Sequence, residues 1–344
     1  MAAWVVACVA TAACGQEDEP VRLAGAERLA DPSGSQRLGV DEWEDIEWPL
    51  EDVPMSAASD LAPGDGRLYV LFDGVGGEEG IVAVSEAGEV VGSGLVTMTG
   101  AGSETTGAAA VGARGEMADA VGADVYPHTF RWVDDSYTTA LHWFTAGFEV
   151  GAMAFVHRTE MLVGSRSAGE IDVVALDTVT GEIGQRQLLG GPDDTEAAVR
   201  SDEDLGPIVA IAVLAQGFVA FVTDQDGERR LYMIVGDELQ EVAAGSVNPV
   251  AAEAVDLDGL PRGDRWPMAP ISASPDGRIV AVGEHEGAPR ITLVDPESGG
   301  VDVLADLQGV KPTVDERVVA AIVGNDLFFL ARGSLWRKED VLPR

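Results

Sequence analysis

The chain has 344 residues, of which 46% are hydrophobic, so it is long enough to bury a sizeable core. Its formal net charge is −37, with 59 acidic residues against 22 basic ones. A surface of that sign repels phosphate backbones and anionic lipid headgroups, which argues against nucleic acids and against electrostatic attachment to a membrane. Cations, basic protein patches and neutral ligands are the partners it favours, and a purely solubilising role is the alternative.

The first segment is apolar from Ala2 to Ala13 and then turns acidic. It is too short to span a bilayer but matches the core of a signal peptide. Cys14 follows two small residues, and this arrangement resembles a bacterial lipoprotein signal, in which cleavage precedes a cysteine that is then acylated. The resemblance implies a signal peptide over residues 1–13, a lipid on Cys14, and an extracytoplasmic protein held to the cell membrane by that anchor.

Two details depart from that pattern. Thr11 stands where Leu, Val or Ile is usual, and no Lys or Arg precedes the apolar run. We therefore hypothesise that the true start codon lies upstream and that basic residues precede Met1. The residues before Cys8 match the lipoprotein pattern better, but the apolar core in front of them would be too short for a signal peptide. The remaining alternative is that this segment is an ordinary buried apolar one.

Residues 14–42 are predicted to form an acidic tether, because they contain Pro and Gly and show no sustained hydrophobic periodicity. The stretch over 41–54 differs, since Ile46, Trp48 and Leu50 alternate with polar residues or proline. This alternation predicts a short edge strand. We expect a single folded domain over residues 43–344, with this strand completing its last repeat.

The body of the chain repeats a pattern of short strands separated by turn residues. One repeat, over residues 268–304, contains four predicted strands, and further copies follow the same order. Repeats of about 40–60 residues with four strands each are typical of a β-propeller. We predict an all-β fold with six four-stranded blades, with five and seven blades as alternatives, and we interpret the Gly/Ala-rich segment 97–124 as partly a flexible insertion. The other copies cover residues 64–94, 160–189, 208–245 and 317–341.

One repeat has a recognisable signature. Ser274-Pro275-Asp276-Gly277 lies between two predicted strands, and Ile291, Leu293 and Asp295 alternate in the next one. This arrangement resembles the TolB-type, WD-repeat-like propeller of bacterial envelope proteins. The match covers two blades well, and the resemblance implies a binding role in the envelope. The same serine and carboxylates could be mistaken for a reactive site, but a tight turn explains them fully.

Two sets of residues are candidates for binding. Asp224 and Asp226 stand two apart before a glycine, as in the start of a calcium loop, although the later ligands of such a loop are missing and a hairpin turn is the alternative. The stretch 126–157 is rich in aromatics and contains three of the four histidines. Aromatic side chains give large contact area at low entropy cost, and core packing is the alternative. The partner-binding candidates in it are Tyr126, His128, Trp132, His142 and Trp143.

The sequence therefore predicts a monomeric, lipid-anchored, non-catalytic propeller that binds a protein or glycan partner and needs no cofactor. The alternative is a propeller enzyme, either hydrolase- or lactonase-like or quinone-dependent, with a cation at its centre. The sequence contains no nucleophile elbow and no pair of histidines at the spacing of metal ligands, and both absences argue against the enzyme. Carboxylates converging in the central channel would favour the enzyme, whereas an apolar or uncharged channel would favour the binding module.

Overall fold

The computed structural model describes most of the chain from residue 58 onwards, together with one earlier strand. All structural statements refer to these residues. Trp132, His142 and Trp143 lie outside the described residues, as do Cys14 and the predicted tether. The described ranges are 44–46, 58–64, 66–73, 78–97, 108–112, 115–131, 136–139, 144–157, 159–176, 182–201, 204–214, 217–235, 238–241, 268–285, 288–296, 298–307, 318–331 and 334–342.

The described residues form only β-strands and turns. No helix among them is long and apolar enough to cross a membrane. In chain order the strands are β1 (Glu44–Ile46), β2 (Ala58–Gly64), β3 (Arg67–Asp73), β4 (Glu78–Ser85), β5 (Val90–Thr97), β6 (Ala109–Val111), β7 (Met117–Val121), β8 (Asp124–Arg131), β9 (Ser136–Thr139), β10 (Phe144–Thr145), β11 (Val150–His157), β12 (Glu160–Ser165), β13 (Ile171–Leu176), β14 (Ile183–Gly190), β15 (Val199–Arg200), β16 (Ile208–Val213), β17 (Val219–Gln225), β18 (Glu228–Val235), β19 (Glu238–Glu241), β20 (Met268–Ala273), β21 (Ile279–His285), β22 (Ala288–Val294), β23 (Val301–Asp306), β24 (Val319–Val323), β25 (Asp326–Ala331) and β26 (Ser334–Lys338).

These strands make six separate sheets, which are the six blades of a β-propeller. Blade 1 is β2–β5, blade 2 is β6–β10, blade 3 is β11–β15, blade 4 is β16–β19, blade 5 is β20–β23, and blade 6 is β24–β26 with β1. The first strand of each blade lies beside the first strand of the next, and β24 returns to β2, so six inner strands surround one axis. The predicted all-β, six-bladed fold is confirmed.

The core is divided into six apolar clusters, one between each pair of neighbouring blades. Between blades 3 and 4, for example, Leu162 and Ile171 pack with Phe221, whose ring stacks on Tyr232 at 5.5 Å between centroids. A single four-stranded sheet cannot bury both of its faces, and stacking blades around a ring buries them in turn. For this reason β24, with the sequence VAAIV, is buried at every position.

The ring closes in blade 6, where β1 pairs antiparallel with β26 and Asp45 lies opposite Trp336. The predicted closing strand is confirmed over residues 44–46, and residues 47–50 lie outside the described part. Arg337 strengthens the closure from a buried position: its Nη2 lies 2.7 Å from Asp326 Oδ2, and its Nη1 donates to the carbonyl of Ala87 in blade 1 at 3.2 Å. A charge removed from water in this way is stable only with such partners.

Two blades depart from the predicted four strands. In blade 2, β9 and β10 both pair with β8, at opposite ends of it, so two short strands share the outermost position. In blade 3, β15 runs parallel to β14 and covers its edge, which otherwise would present unpaired backbone groups. Neither addition has hydrophobic alternation long enough to be read from the sequence.

Part of the segment 97–124, which we interpret as partly a flexible insertion, supplies two strands of blade 2, and residues 98–107 lie outside the described part. β6 is the inner strand of blade 2, and β7 is the second strand of the same blade. Their alanines are buried: Ala110, Ala118 and Ala120 are each at most 2% exposed. Small residues resemble a linker in sequence, yet they suit an inner strand because the strands crowd together around the axis.

Candidate binding channel

The inner strands surround a cavity of about 360 Å³ along the propeller axis. Five blades contribute its wall, through the first strand of each or the residues beside it. The inner strand of blade 6 does not reach the wall, because β2 and β20 on either side of it come within 8 Å of each other between Cα atoms. The wall segments are residues 61–63, 108–112, 151–156, 209–214 and 271–273.

The side chains of this wall are almost entirely apolar. Among the described residues that line the cavity none carries a charge, and Ser272 is the one with a polar side chain. Ser272 is itself engaged, since its hydroxyl donates to the carbonyl of Ala320 in β24 at 2.8 Å. That bond joins blades 5 and 6 and uses the one proton that the hydroxyl can donate. The expectation of converging carboxylates, which the enzyme alternative needs, finds no support in this wall.

Backbone groups supply the remaining polarity of the channel. Each inner strand stands at the end of the strand order of its sheet, so its other edge has no partner strand within the blade. Such an edge presents N–H and C=O groups. The described wall of the channel therefore combines aliphatic side chains with neutral hydrogen-bonding groups, a combination that is common in small-molecule sites.

At one end of the channel wall lie an exposed valine, a phenylalanine and, behind them, a buried glutamate. Val156, near the end of β11, is 38% exposed, an unusual exposure for a large aliphatic residue in this chain. Beside it, the ring of Phe155 lies close to Gly112. A Cβ atom added to Gly112 would lie 3.2 Å from Cγ of that ring. The same Cβ would stand 2.7 Å from Glu116 Oε2, so this carboxylate lies directly behind the wall. Glu116 is only 5% exposed.

The Ser-Pro-Asp-Gly element is a turn, as predicted. It joins β20 to β21: the amide of Gly277 donates to the carbonyl of Ser274 at 3.0 Å, and Gly277 has a φ of 88°. Asp276 Oδ2 accepts from Nε of Arg278 at 2.8 Å, and Arg278 also reaches Asp302 at 3.1 Å. Burial is the largest single influence on Asp276 and raises its pKa, but the hydrogen bonds and the charge of its neighbours, chiefly Arg278, together outweigh burial and lower the pKa of that carboxyl.

Asp224 and Asp226 lie at the hairpin between β17 and β18. Asp226 and Gly227 form its two-residue loop, with φ values of 56° and 87°, as such loops require. The Asp224 carboxylate accepts from the Gly227 amide at 3.0 Å and from Arg229 Nε at 2.9 Å. Among the described residues no group of three or more His, Cys, Asp or Glu is arranged to hold a metal ion. Calcium at Asp224 and Asp226 stays a prediction, and the geometry explains both residues without it.

The aromatic stretch contributes mainly to packing where the structure describes it. Phe144 is buried between blades 2 and 3, and Phe148 and Phe155 pack against the same cluster. Tyr126 is half-buried in β8, and His128 lies in the same strand, opposite Met117. The structure therefore does not test whether the five candidate residues form one face.

A further polar group lies on blade 3, away from the channel. Asp172 accepts from Gln185 Nε2 at 2.5 Å, and Asp194 accepts from Gln187 Nε2 at 2.5 Å. Glu170 is near both carboxylates. Burial, and then repulsion from Asp172 and Asp194, raises the pKa of Glu170. Because Asp172 and Asp194 are each satisfied by a glutamine, this group is explained as part of the blade.

No protein-family model and no curated protein matches the sequence. Several solved structures are similar. They include a catalytically inactive virginiamycin B lyase from Staphylococcus aureus with quinupristin (12% identity over 85% of this chain and 82% of that one, TM-score 0.45). They also include TolB from Acinetobacter baumannii (15% identity, 82% and 66%, TM-score 0.44) and a luciferin-regenerating enzyme (9% identity, 83% and 92%, TM-score 0.46). Identities this low carry no information on activity, and the fold rests on the strand pairing described above.

The channel wall was not predicted from the sequence, although a signal for it exists. Three inner strands and their flanks read AAAVG, VGAMAFV and VAIAVL, and small residues recur in each of them. This recurrence marks strands that crowd around an axis, whereas β25, the second strand of blade 6, carries large residues. The sequence does not show which of the small residues meet across the channel, because each comes from a different blade.

Proposed function

We propose that this protein is an extracytoplasmic, lipid-anchored and non-catalytic propeller that binds a protein or glycan partner and acts as a monomer. The observation that carries the proposal is the chemistry of the channel, whose described lining residues are all uncharged. An uncharged wall offers no general acid, no general base and no carboxylate cage for a central cation. Binding without chemistry is the function that such a wall supports best.

The face that meets the partner is proposed to be formed by Tyr126 and His128 of β8 together with Trp132, His142 and Trp143. Aromatic and histidine side chains of this kind give contact area together with hydrogen-bonding groups. The strongly acidic charge of the chain favours a basic protein partner or a neutral glycan over an anionic one.

The partner is tested by capture from the native cell envelope. Tagged protein is compared with a Trp132→Ala/Trp143→Ala double variant, because large aromatics dominate such interfaces and their removal costs about 2 kcal/mol or more each. We expect the double variant to lose the captured partner by at least tenfold. Ser298→Ala is the control, since Ser298 is exposed in the turn between β22 and β23 of blade 5, and blade 5 lies opposite blade 2 in the ring. Equal capture by the double variant would refute the proposed face.

The anchor is tested separately with the two cysteines of the chain. Cys14→Ser is expected to move the protein from the membrane fraction to the soluble extracytoplasmic fraction, because the acyl chains have lost their attachment. Cys8→Ser is the matched control and is expected to leave fractionation unchanged. Loss of anchoring in the control instead would place the lipid on Cys8, and membrane retention by both variants would refute lipidation at either residue.

A further inference from the structure

We propose that the outer edge of β5 in blade 1 binds an extended basic segment of another protein, which adds to this four-stranded sheet as a further strand. The proposal goes beyond the function proposed above, because it concerns a different surface and does not depend on the aromatic residues of that face. Three observations carry it: the contrast between β5 and the other outer strands, the small residues in its middle, and the charges at its two ends.

The outer edges of the other five blades are short, covered or charged. In blade 2, β9 and β10 have four and two residues, in blade 6 β1 has three, and in blade 3 β15 covers β14. The outer strands of blades 4 and 5 read ELQE and VDVLAD, so both carry carboxylates. Proteins commonly protect the edges of their sheets from unintended pairing in these ways.

The outer strand of blade 1 is longer and less protected. β5 has eight residues, VVGSGLVT, with no charged side chain and no proline, and it stands last in the strand order of its sheet. No strand in the described part of the chain pairs with its outer edge: β9 comes within 8 Å of β5 between Cα atoms, but it pairs with β8. The backbone N–H and C=O groups of such an edge are a template for strand addition.

The middle of β5 allows another backbone to come close. The register between β4 and β5 shifts at Val91 and is regular from Gly92 to Thr97. Gly92, Ser93 and Gly94 stand in this regular part, and glycine inside a strand often marks a place where another backbone approaches closely. Val91, which is 46% exposed, adds apolar surface beside them.

The charges around β5 favour a basic segment. Glu78 and Glu79 of β4 lie opposite the last two residues of β5, and exposed Glu89 precedes its first residue. Between Arg67 and Arg114 the sequence contains no Lys or Arg that would neutralise them. Neighbouring strands are about 4.8 Å apart, so a strand added to β5 stands about 10 Å from β4, which is close to the Debye length at physiological ionic strength. Lysines on the added strand have long flexible stems and reach across the small residues of β5.

The first experiment measures binding of capped octapeptides to the full chain by fluorescence anisotropy. Three peptides share a Thr/Val background and carry three lysines, three glutamines or three glutamates. We expect affinity to fall in that order, with about tenfold between the lysine and glutamate peptides, because complementary charge selects the partner. Equal affinities, a glutamate peptide that binds best, or no binding of the lysine peptide would overturn the proposal.

A fourth peptide separates strand pairing from attraction between charges. It is the lysine peptide with N-methyl groups on its central residues, which keeps every charge but has no N–H there to pair with an edge. We expect it to bind at least tenfold more weakly than the lysine peptide, because main-chain hydrogen bonds supply the affinity of strand addition. Equal binding by the methylated peptide would refute strand addition.

The second experiment changes the charge of the edge itself. Val91→Lys is expected to weaken binding of the lysine peptide by about tenfold, whereas Val91→Glu is expected to retain or strengthen it. Ser298→Lys is the matched control, because it adds the same charge at an exposed turn of blade 5, on the opposite side of the ring. It is expected to change the affinity by less than about twofold at moderate ionic strength. An equal loss in Ser298→Lys or in Val91→Glu would refute charge selection at this edge.

A pair of neutral substitutions tests whether the nearby carboxylates act, and not the charge of the chain as a whole. Glu89→Gln removes one charge beside β5 and is expected to weaken the lysine peptide by about two- to threefold at low ionic strength. Glu196→Gln removes one charge from an exposed position between β14 and β15 of blade 3 and is expected to leave the affinity unchanged. Equal effects of the two substitutions would overturn the local selection proposed here.

These outcomes are independent of the partner experiment, because the peptides are tested without envelope material. The Trp132→Ala/Trp143→Ala variant is expected to bind the lysine peptide as the unaltered protein does. Failure of the peptides with successful, tryptophan-dependent capture would refute the β5 site alone. Peptide binding together with equal capture by the double variant would refute the proposed partner face alone.

Discussion

Two carboxylates show how position in the fold sets the effect of a charge at the scale of a single residue. Glu170 is partly buried, and burial followed by repulsion from Asp172 and Asp194 raises its pKa above its ordinary value of 4.5. Asp276 is also partly buried, and burial is the largest single influence on it, but the hydrogen bonds and the charge of its neighbours, chiefly Arg278, together lower its pKa below the ordinary 3.8. The two residues therefore contribute to stability with opposite sign.

The sign of each contribution predicts the effect of neutral replacements. The folded state holds a proton on Glu170 more tightly than the unfolded state does, so its ionisation destabilises the fold as the pH rises through and above 4.5. Glu170→Gln is expected to stabilise the protein at pH 7, and the gain should vanish as the pH falls below that value. Asp276→Asn is expected to destabilise it at pH 7, and that loss should shrink as the pH falls below 3.8. Urea unfolding of both variants from pH 7 to about pH 3 measures these changes; a loss of stability in Glu170→Gln at pH 7 would contradict the account.

At the scale of strands and blades, glycine decides how closely two sheets approach. Gly151 in β11 faces the neighbouring blade, where a Cβ would collide with the carbonyl oxygen of Ile208 and stand 2.9 Å from Arg166 Cα. Both obstacles belong to backbone, which has little room to move. The close contact between blades 3 and 4 therefore requires a residue without a side chain at position 151.

Gly151→Ala is expected to destabilise the protein by about 1–3 kcal/mol, because the extra methyl group forces the two blades apart. Gly184→Ala is the matched control: it is also a strand glycine, and its nearest neighbour for a new Cβ is Ala175 Cβ at 4.0 Å. The control is expected to be neutral or to stabilise by up to about 0.5 kcal/mol, because glycine is entropically unfavourable in a strand. Denaturant midpoints report both, and similar midpoints for the two variants would contradict the argument.

Strands and turns formed by residues close together in the chain could be predicted from the sequence, whereas contacts between distant residues could not. The hairpins at Gly277 and Gly227 were predictable, because turn residues and alternating strands are neighbours in the chain. The parallel pairing of Val199 with Leu189 was not, since a two-residue strand has no periodicity of its own. The bond from Ser272 to Ala320, which shapes the channel, joins residues 48 positions apart in different blades, and nothing in either local sequence indicates it.

At the scale of the whole molecule, closure of the ring depends on a strand from the other end of the folded region. β1 provides the outer edge of blade 6, where Ile46 lies opposite Leu335 and Glu44 opposite Arg337. Arg337 then connects blade 6 to blade 1 through the carbonyl of Ala87. Arg337 therefore takes part in the strand pairing through its backbone and in the contact between the first and last blades through its side chain.

Matched truncations test the importance of this closure. Deleting residues 1–50 removes β1 and is expected to cost about 1–3 kcal/mol, the sum of three cross-strand pairs at about 0.2–1 kcal/mol each. It also exposes the edge of β26, so we expect concentration-dependent self-association. Deleting residues 1–40 retains β1 and is expected to keep the midpoint of the full chain. Urea unfolding and light scattering distinguish the two, and equal behaviour would show that β1 contributes nothing to closure.

The pairing of β1 with β26 also sets the order of events during synthesis. Glu44 and Arg337 are about 290 residues apart, so at about 5–20 residues per second a ribosome needs roughly 15–60 s to make the partner of a strand it has already released. Blades 1 to 5 contain all their strands within continuous stretches and can form while translation proceeds. The last blade cannot, and β1 stays without its partner until the final strand emerges. Completion of the ring therefore waits for the synthesis of β26, and a polypeptide released before that strand keeps an open blade.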